Sequence, residues 1–300
     1  MRYSNRDSFI LSAPGAMNLE PCSLESIMAG AVAGARGCVL PVDTSSDGIT
    51  LVCDQGCYRV PMTGEILPVH ENTFEVLRAA YPKIVSFGQA LELVKSSGGR
   101  LGIELHHPQT AAQVRVSLKY SDYLENAYFC GLSLADAAAL AARYPDLQVM
   151  ADLTEPPENP AAFVRQMQDL RLFGLRAKID VLTETLCTEA LRCGLFLAAV
   201  DVDEAGALHE MMVRGVNFLE THRPDRASCL PVVPIAPEPE VQPELEPVVQ
   251  PADTVPDSLA SDKPQPLPKT DIPAGSTTAS DIFDELGLSD FPDLSDILRF

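Results

Sequence analysis

Five apolar runs in this chain close on an acid, a histidine or both. RLGIELHH ends on Glu104, His106 and His107. LQVMADL carries Asp152, LRAKID ends at Asp180, LFLAAVDV carries Asp201, and NFLETH ends on Glu220 and His222. Carboxylates and imidazoles are the side chains that move protons near neutral pH and that hold divalent ions. Their place at the ends of apolar runs suggests strand ends that could share one mouth. The same residue types at strand ends also cap helices or face solvent, so the pattern admits a bland reading as well. Cys53 and Cys57 flank Asp54, but no second close pair completes a zinc pattern. His70, in PVHENTF, reads as a surface-loop residue with a structural or solvated role, and His209 as one more residue of a helix.

These residues need elements to position them. Short apolar runs alternate with helical spacing, which is the signature of βα units around a parallel sheet. Phe9–Leu11 is the first expected strand. Ser23 then looks like an N-cap, with Leu24, Ile27, Met28, Ala31 and Val32 following at helical offsets. Cys38–Val42 and Thr50–Cys53 read as strands joined by an Asp47-Gly48 turn. TFEVLRAAYP reads as a short helix stopped by Pro82. Ser86 with Gln89 three residues on reads as a capping box, and Gly98-Gly99 ends that helix. Thr50–Cys53 counts as the extension of the second strand, and six more strands follow, each with a helix except the last. Eight strands in about 230 residues fit a small (β/α)8 TIM barrel, whose usual size is ~250 residues. An open doubly wound sheet would want a Gly-rich phosphate turn after the first strand, and Ala13-Pro14-Gly15-Ala16 is not one.

The stretch Gly34 to Gln55, GARGCVLPVDTSSDGITLVCDQ, resembles the opening of the glycerophosphodiester phosphodiesterase (GDPD) family, roughly GADGIELDVxLTxDGxxVxxHD. Further landmarks fall in order over residues 8–226. Ala13-Pro14-Gly15 stands where the family has His-Arg-Gly. Glu20-Pro21-Cys22-Ser23 stands for Pro-Glu-Asn-Thr, and Ile103-Glu104-Leu105-His106 for Ile-Glu-Ile-Lys. Val200-Asp201-Val202-Asp203 stands for Trp-Thr-Val-Asn, and Thr221-His222-Arg223-Pro224-Asp225 for Thr-Asp-Arg-Pro-Asp. The resemblance implies a PLC-like TIM barrel of lipid metabolism. It implies a reaction in which two histidines serve as acid and base while carboxylates hold a divalent cation on the phosphodiester.

The residues that should carry that reaction are replaced. Both histidine positions hold other residues, Ala13 and Asp54, and the arginine position holds Pro14. Of the three metal carboxylates, two positions hold Val39 and Pro41, and Glu104 alone remains. One general acid or base is worth about 10²–10⁴-fold in rate, and one carboxylate is a poor cage for Mg²⁺ or Ca²⁺, which take several oxygens. No cofactor is therefore expected, with Mg²⁺ or Ca²⁺ the expectation if the protein is active. A rebuilt site would draw on Glu104, His106, Asp152, Asp180 and His222. Arg223 is the cation expected near that mouth.

Composition divides the chain. Thirteen of the 25 prolines lie from Pro231 onward, and that segment carries 14 Asp or Glu against 3 Lys or Arg. The net charge of −20 thus splits into −11 there and −9 in the rest. Such a charge argues against nucleic acid or an anionic membrane as partner. No apolar run reaches the roughly 18 residues of a membrane span. Residues 231–279 read as a disordered Pro-rich acidic linker. Residues 280–300, with Ile282, Phe283, Leu286, Leu294, Ile297 and Leu298, read as a short amphipathic acidic motif for docking a protein partner. The scattered cysteines suit a reduced, cytoplasmic protein. The oligomeric state stays open. The expectation is a catalytically degenerate barrel acting as a binding or scaffolding module. The alternative is an active hydrolase releasing sn-glycerol 3-phosphate and an alcohol from glycerophosphodiesters.

Overall fold

In the computed structural model, residues 8–61 and 63–229 are described; the segments 231–279 and 280–300, with the linker and docking motif expected there, lie outside them. The barrel is built from β1 (Phe9–Ser12), β2 (Gly37–Thr44) and, after an insert, β7 (Arg100–Leu105), β8 (Ala127–Cys130), β9 (Met150–Leu153), β10 (Gly174–Lys178), β11 (Phe196–Val200) and β12 (Phe218–Thr221). Every ladder among these is parallel, and β12 returns to pair with β1 from Phe9↔Phe218 to Ser12↔Thr221. The β2–β7 ladder is long, running from Gly37↔Arg100 to Val42↔Leu105. The β8–β9 seam is thin: one bridge, Phe129↔Val149, with the Phe129 amide donating to the Gln148 carbonyl at 2.8 Å. The ring is therefore closed, as the strand–helix alternation predicted.

Helices follow where the caps predicted them. They are α1 (Leu24–Val32), α3 (Phe87–Ser97), α4 (Ala111–Tyr120), α5 (Leu134–Arg143), α6 (Pro160–Asp169), α7 (Glu184–Arg192) and α8 (Ala205–Val213); α2 (Phe74–Ala80) belongs to the insert. Ser23, Ser133, Asn159 and Thr183 each accept an amide at the helix start, and Ser86 with Gln89 forms the expected capping box. Such a cap contributes about 1 kcal/mol.

Strand alternation separates two cores. Phe9, Leu11, Val39, Tyr128, Cys130, Met150, Ala198 and Phe218 fill the barrel interior, with Tyr128 stacked on Phe218 at 4.7 Å. Leu40, Val42, Leu101, Ile103 and Leu105 belong instead to the larger layer shared with the helices.

Between β2 and α3 lies an insert: β3 (Thr50–Val52), the hairpin β4 (Cys57–Arg59)–β5 (Ile66–Pro68), α2 and β6 (Val85–Ser86). It has a small core of its own, Leu51, Cys53, Tyr58, Val69 and Leu77. The Asp47-Gly48 turn forms as expected, with Gly48 at φ 90° and Asp47 Oδ1 accepting from the Ser45 hydroxyl and from the Phe74 amide, which ties the turn to α2.

Candidate functional site

Three clusters of ionisable side chains gather at the C-terminal ends of the barrel strands. The most buried is organised by Arg176, in the middle of β10, directly opposite Asp152 of β9 in the ladder. Its Nη1 donates to Asp152 Oδ2 at 2.7 Å. Its Nη2 donates to Glu104 Oε2 at 2.9 Å and to Glu220 Oε2 at 2.8 Å, and its Nε to Glu220 Oε1 at 2.9 Å. Glu220 also accepts from the Tyr128 hydroxyl, and Asp152 from the Gly131 amide. The Arg176 side chain is 12% exposed and that of Glu220 3%. One guanidinium thus joins strand ends three, five and eight. Its planar fork, with five donors, suits several carboxylates at once.

The electrostatics follow from that geometry. Burial pushes the Glu220 and Asp152 carboxyls above their ordinary range, and Arg176 opposes this without cancelling it. Burial also works against the charge on Arg176, but the surrounding groups, Glu220 foremost and Asp152 with it, together outweigh it and the guanidinium stays protonated. The expectation that Arg223 is the mouth's main cation is corrected here. Arg223 is engaged with Asp225 at 2.9 and 2.7 Å, whereas Arg176 sits among the carboxylates. Three acids around one base still leave the cluster net negative.

The family's cation does not fit these residues. Glu104, the one carboxylate retained, already binds the Arg176 head group through Oε2, so an ion on that oxygen would stand beside a positive charge. Val39 is 2% exposed in the apolar interior, and Pro41 pairs with Glu104 across the β2–β7 ladder without offering a side-chain oxygen. Ala13, Pro14, Cys22, Val39 and Pro41 line a crevice of about 10 Å³, room for roughly one water. Asp54, at the other histidine position, is exposed and opens the turn Asp54–Gly56.

The second cluster is a carboxylate–imidazole pair. Asp203 Oδ1 accepts from the His222 amide at 2.7 Å and from the Thr221 hydroxyl at 3.0 Å, and Oδ2 faces His222 Nδ1 at 3.2 Å. Burial pulls the Asp203 carboxyl up, but the His222 amide, the Thr221 hydroxyl and the His222 ring together hold it below the ordinary carboxylate range. The third cluster joins barrel and insert: Asp43 at the end of β2, His107 after β7, and His70 in the turn after β5.

Of the five residues of the expected rebuilt site, Glu104 and Asp152 share Arg176 and the other three lie apart from it. Asp152 belongs to the Arg176 network and His222 to Asp203. His106 Nε2 meets the Cys53 carbonyl at 3.1 Å, beside Gly56. Asp180 is exposed on the turn after β10, and Asp201 faces Lys178 at 4.0 Å. Sequence reasoning missed Arg176, Asp203 and Asp43 as site residues. The one signal for Arg176 was a basic residue between the buried Leu175 and Ala177 in a barrel strand. His209, in α8 as expected, keeps its Nδ1 buried without a hydrogen-bond partner.

Cys22, Cys38, Cys53, Cys57, Cys130, Cys187 and Cys193 are free thiols. Burial pushes the Cys38 thiol up to about 12 and Cys187 to about 11, and raises Cys22, Cys53 and Cys130 as well. Among the described residues, a thiol reagent should therefore label native Cys57 and Cys193, which are half-buried, and reach the other five only after unfolding. Peptide mapping of the labelled protein checks this; fast labelling of Cys22 or Cys53 in the folded state would contradict it.

No protein-family model matches this sequence, and no curated protein matches it. Solved structures do match in fold. A glycerophosphodiester phosphodiesterase from Thermotoga maritima superposes with a TM-score of 0.62 at 17% identity, covering 76% of this chain and 99% of that one. Another from Agrobacterium tumefaciens gives 0.62 at 17% identity, over 74% and 100%. A phosphodiesterase from Oleispira antarctica, solved in complex with the product sn-glycerol-3-phosphate, gives 0.60 at 15% identity, over 73% and 95%. At these identities the likeness establishes the fold: a GDPD-type TIM barrel.

Proposed function

We propose that this chain is a glycerophosphodiester phosphodiesterase-like barrel that does not carry out the family reaction and serves as a binding module. The observation that carries the reading is Arg176, whose head group holds Glu104, Asp152 and Glu220 together at 2.7–2.9 Å. The protein's own cation occupies Glu104, the one carboxylate retained from the expected metal set, together with the two acids beside it. The apolar replacements Ala13, Pro14, Val39 and Pro41 support it, since they offer no proton carrier and no ligand oxygen. The acidic 280–300 segment would supply the protein-docking motif, as a proposal from its sequence. The free thiols suit a reducing, cytoplasmic setting, and no helix among the described residues is long and apolar enough to cross a membrane.

The purified full chain should not hydrolyse glycerophosphocholine or glycerophosphoethanolamine above background with Mg²⁺ or Ca²⁺ present. Robust metal-dependent hydrolysis that disappears in Glu104→Ala would refute the reading. A second reading, an active hydrolase with a relocated base, draws on the Asp203–His222 pair. A carboxylate that orients an imidazole is the arrangement of a general base. If that reading holds, any phosphodiesterase activity should fall by about 10²-fold or more in His222→Ala while Glu104→Ala retains it.

A further inference from the structure

We propose that Asp43, His70 and His107 bind one divalent first-row transition ion of the zinc type, at a site separate from the Arg176 network. One ligand atom from each residue lies within 4.8 Å of the others. His107 Nδ1 stands 3.0 Å and His70 Nδ1 3.7 Å from the same oxygen, Asp43 Oδ2, and the two imidazoles are 4.4 Å apart between centroids. Ligand atoms held at ~2.0–2.2 Å around a tetrahedral ion stand roughly 3.3–3.6 Å apart, and the two measured separations bracket that range.

The surroundings are those of a supported metal site. Asp43 is 1% exposed, and its other oxygen, Oδ1, accepts from the Thr110 hydroxyl at 3.1 Å and from the Thr44 amide at 2.9 Å. That leaves Oδ2 to face the two histidines. On the far side of His70, Nε2 lies 3.6 Å from Glu71 Oε1. A carboxylate behind a ligating imidazole orients the ring when it closes to hydrogen-bond distance, and Glu71 stands within a small side-chain movement of it. The donor set selects the ion class. Two imidazoles and one carboxylate suit zinc and its neighbours, whereas Mg²⁺ and Ca²⁺ prefer oxygen throughout. Three protein ligands leave a fourth position for water, and the side chains of His70 and His107, 46% and 39% exposed, leave a solvent path to it.

The chemistry of binding is simple. The ion replaces the hydrogen-bond contact between His107 Nδ1 and Asp43 Oδ2, and the neutral ring ligates through Nδ1 with its single proton carried on Nε2. The result would clamp the insert, which carries His70, onto the barrel strands that carry Asp43 and His107.

The test uses the full chain stripped with a chelator, then titrated with Co²⁺ alone and with Zn²⁺ alone. The expected result is one Co²⁺ per chain with the visible d–d bands of a low-coordinate site, displaced by Zn²⁺ and not by excess Mg²⁺. His70→Ala and His107→Ala should each weaken binding by about 10-fold or more, while His222→Ala leaves it unchanged. Zn²⁺ should raise the Tm of the native chain and not of His70→Ala. Because His70 is exposed, its variant keeps the fold, and circular dichroism confirms this. Unaltered binding in His70→Ala, loss of binding in His222→Ala instead, or no saturable binding by the folded chain would each overturn the proposal.

Discussion

Replacing Arg176 by methionine should cost the fold about 3–5 kcal/mol, the usual penalty for removing one partner of a buried ion pair. A domain is stable by only about 5–15 kcal/mol, so this variant stands near the threshold of folding. The cause is what remains: Glu220, with a side chain 3% exposed, and Asp152 and Glu104 beside it, with no cation among them. The loss must depend on pH. Burial already raises the Glu220 and Asp152 carboxyls above their ordinary values with Arg176 present, and removing the cation raises them further. A carboxyl with a raised folded-state pKa binds its proton more tightly folded than unfolded. Stability therefore increases as pH falls through the window between the unfolded and the raised values. The variant's deficit should be smaller near about pH 5 than near about pH 7.5, as urea melts at the two values would show. Adding Glu220→Gln should return about 1–3 kcal/mol at neutral pH through the coupling between the two sites. A deficit that is flat in pH and indifferent to Glu220→Gln would mean that Arg176 acts by packing alone.

Gly174→Ala is the second large effect. Gly174 opens β10 two residues before Arg176 and pairs with Phe196 of β11 and Met150 of β9. A Cβ built there would lie 2.1 Å from the Phe196 carbonyl oxygen and 3.1 Å from the Met150 Cε. The methionine end could yield, but the carbonyl is backbone inside a parallel ladder, so β10 itself has to move. The expected cost is about 3 kcal/mol or more, at the upper end of overpacking penalties. The displacement would reach the Arg176 head group on the same strand. Gly88→Ala is the control of opposite sign. Its Cβ would meet nothing within 4 Å, and the residue lies in α3, so alanine there should add a few tenths to about 1 kcal/mol through helix propensity. Chemical denaturation of the two variants beside the parent settles both; equal stability of Gly174→Ala and the parent would show that the ladder relaxes freely.

The two variants also show what could be read in advance. The barrel was legible because its determinants are local. Ser86 and Gln89 lie three residues apart, Pro82 stops α2, and the Asp47-Gly48 turn signals a hairpin by residue type alone. The residue types at the positions of the resembled family's acid, base and ligands were legible too, since Ala13, Pro14, Val39 and Pro41 fall inside short stretches that resemble its motifs. Arg176 was not, because its meaning is set by residues 24, 44 and 72 positions away. Nothing in LRAKID tells that the guanidinium meets Glu104 and Glu220 rather than solvent. Asp43 is another case: its partners His107 and Thr110 lie 64 and 67 residues on. Asp203, by contrast, lies only 19 residues from His222. It was noticed as a family landmark, but its partner depends on how two neighbouring βα loops fold.

The grip of Arg176 on Glu104 makes the order of substitutions matter along any path between this chain and a barrel with three metal carboxylates at its mouth. Placing Glu at position 39 alone would put a fourth acid near three that already share one base, next to the apolar ring face of Tyr128. Removing Arg176 alone strands the acids that remain. Either first step is costly, while the two together could be tolerated, with an incoming ion replacing the departing arginine. Such sign epistasis separates the two states by a valley that single changes do not cross readily.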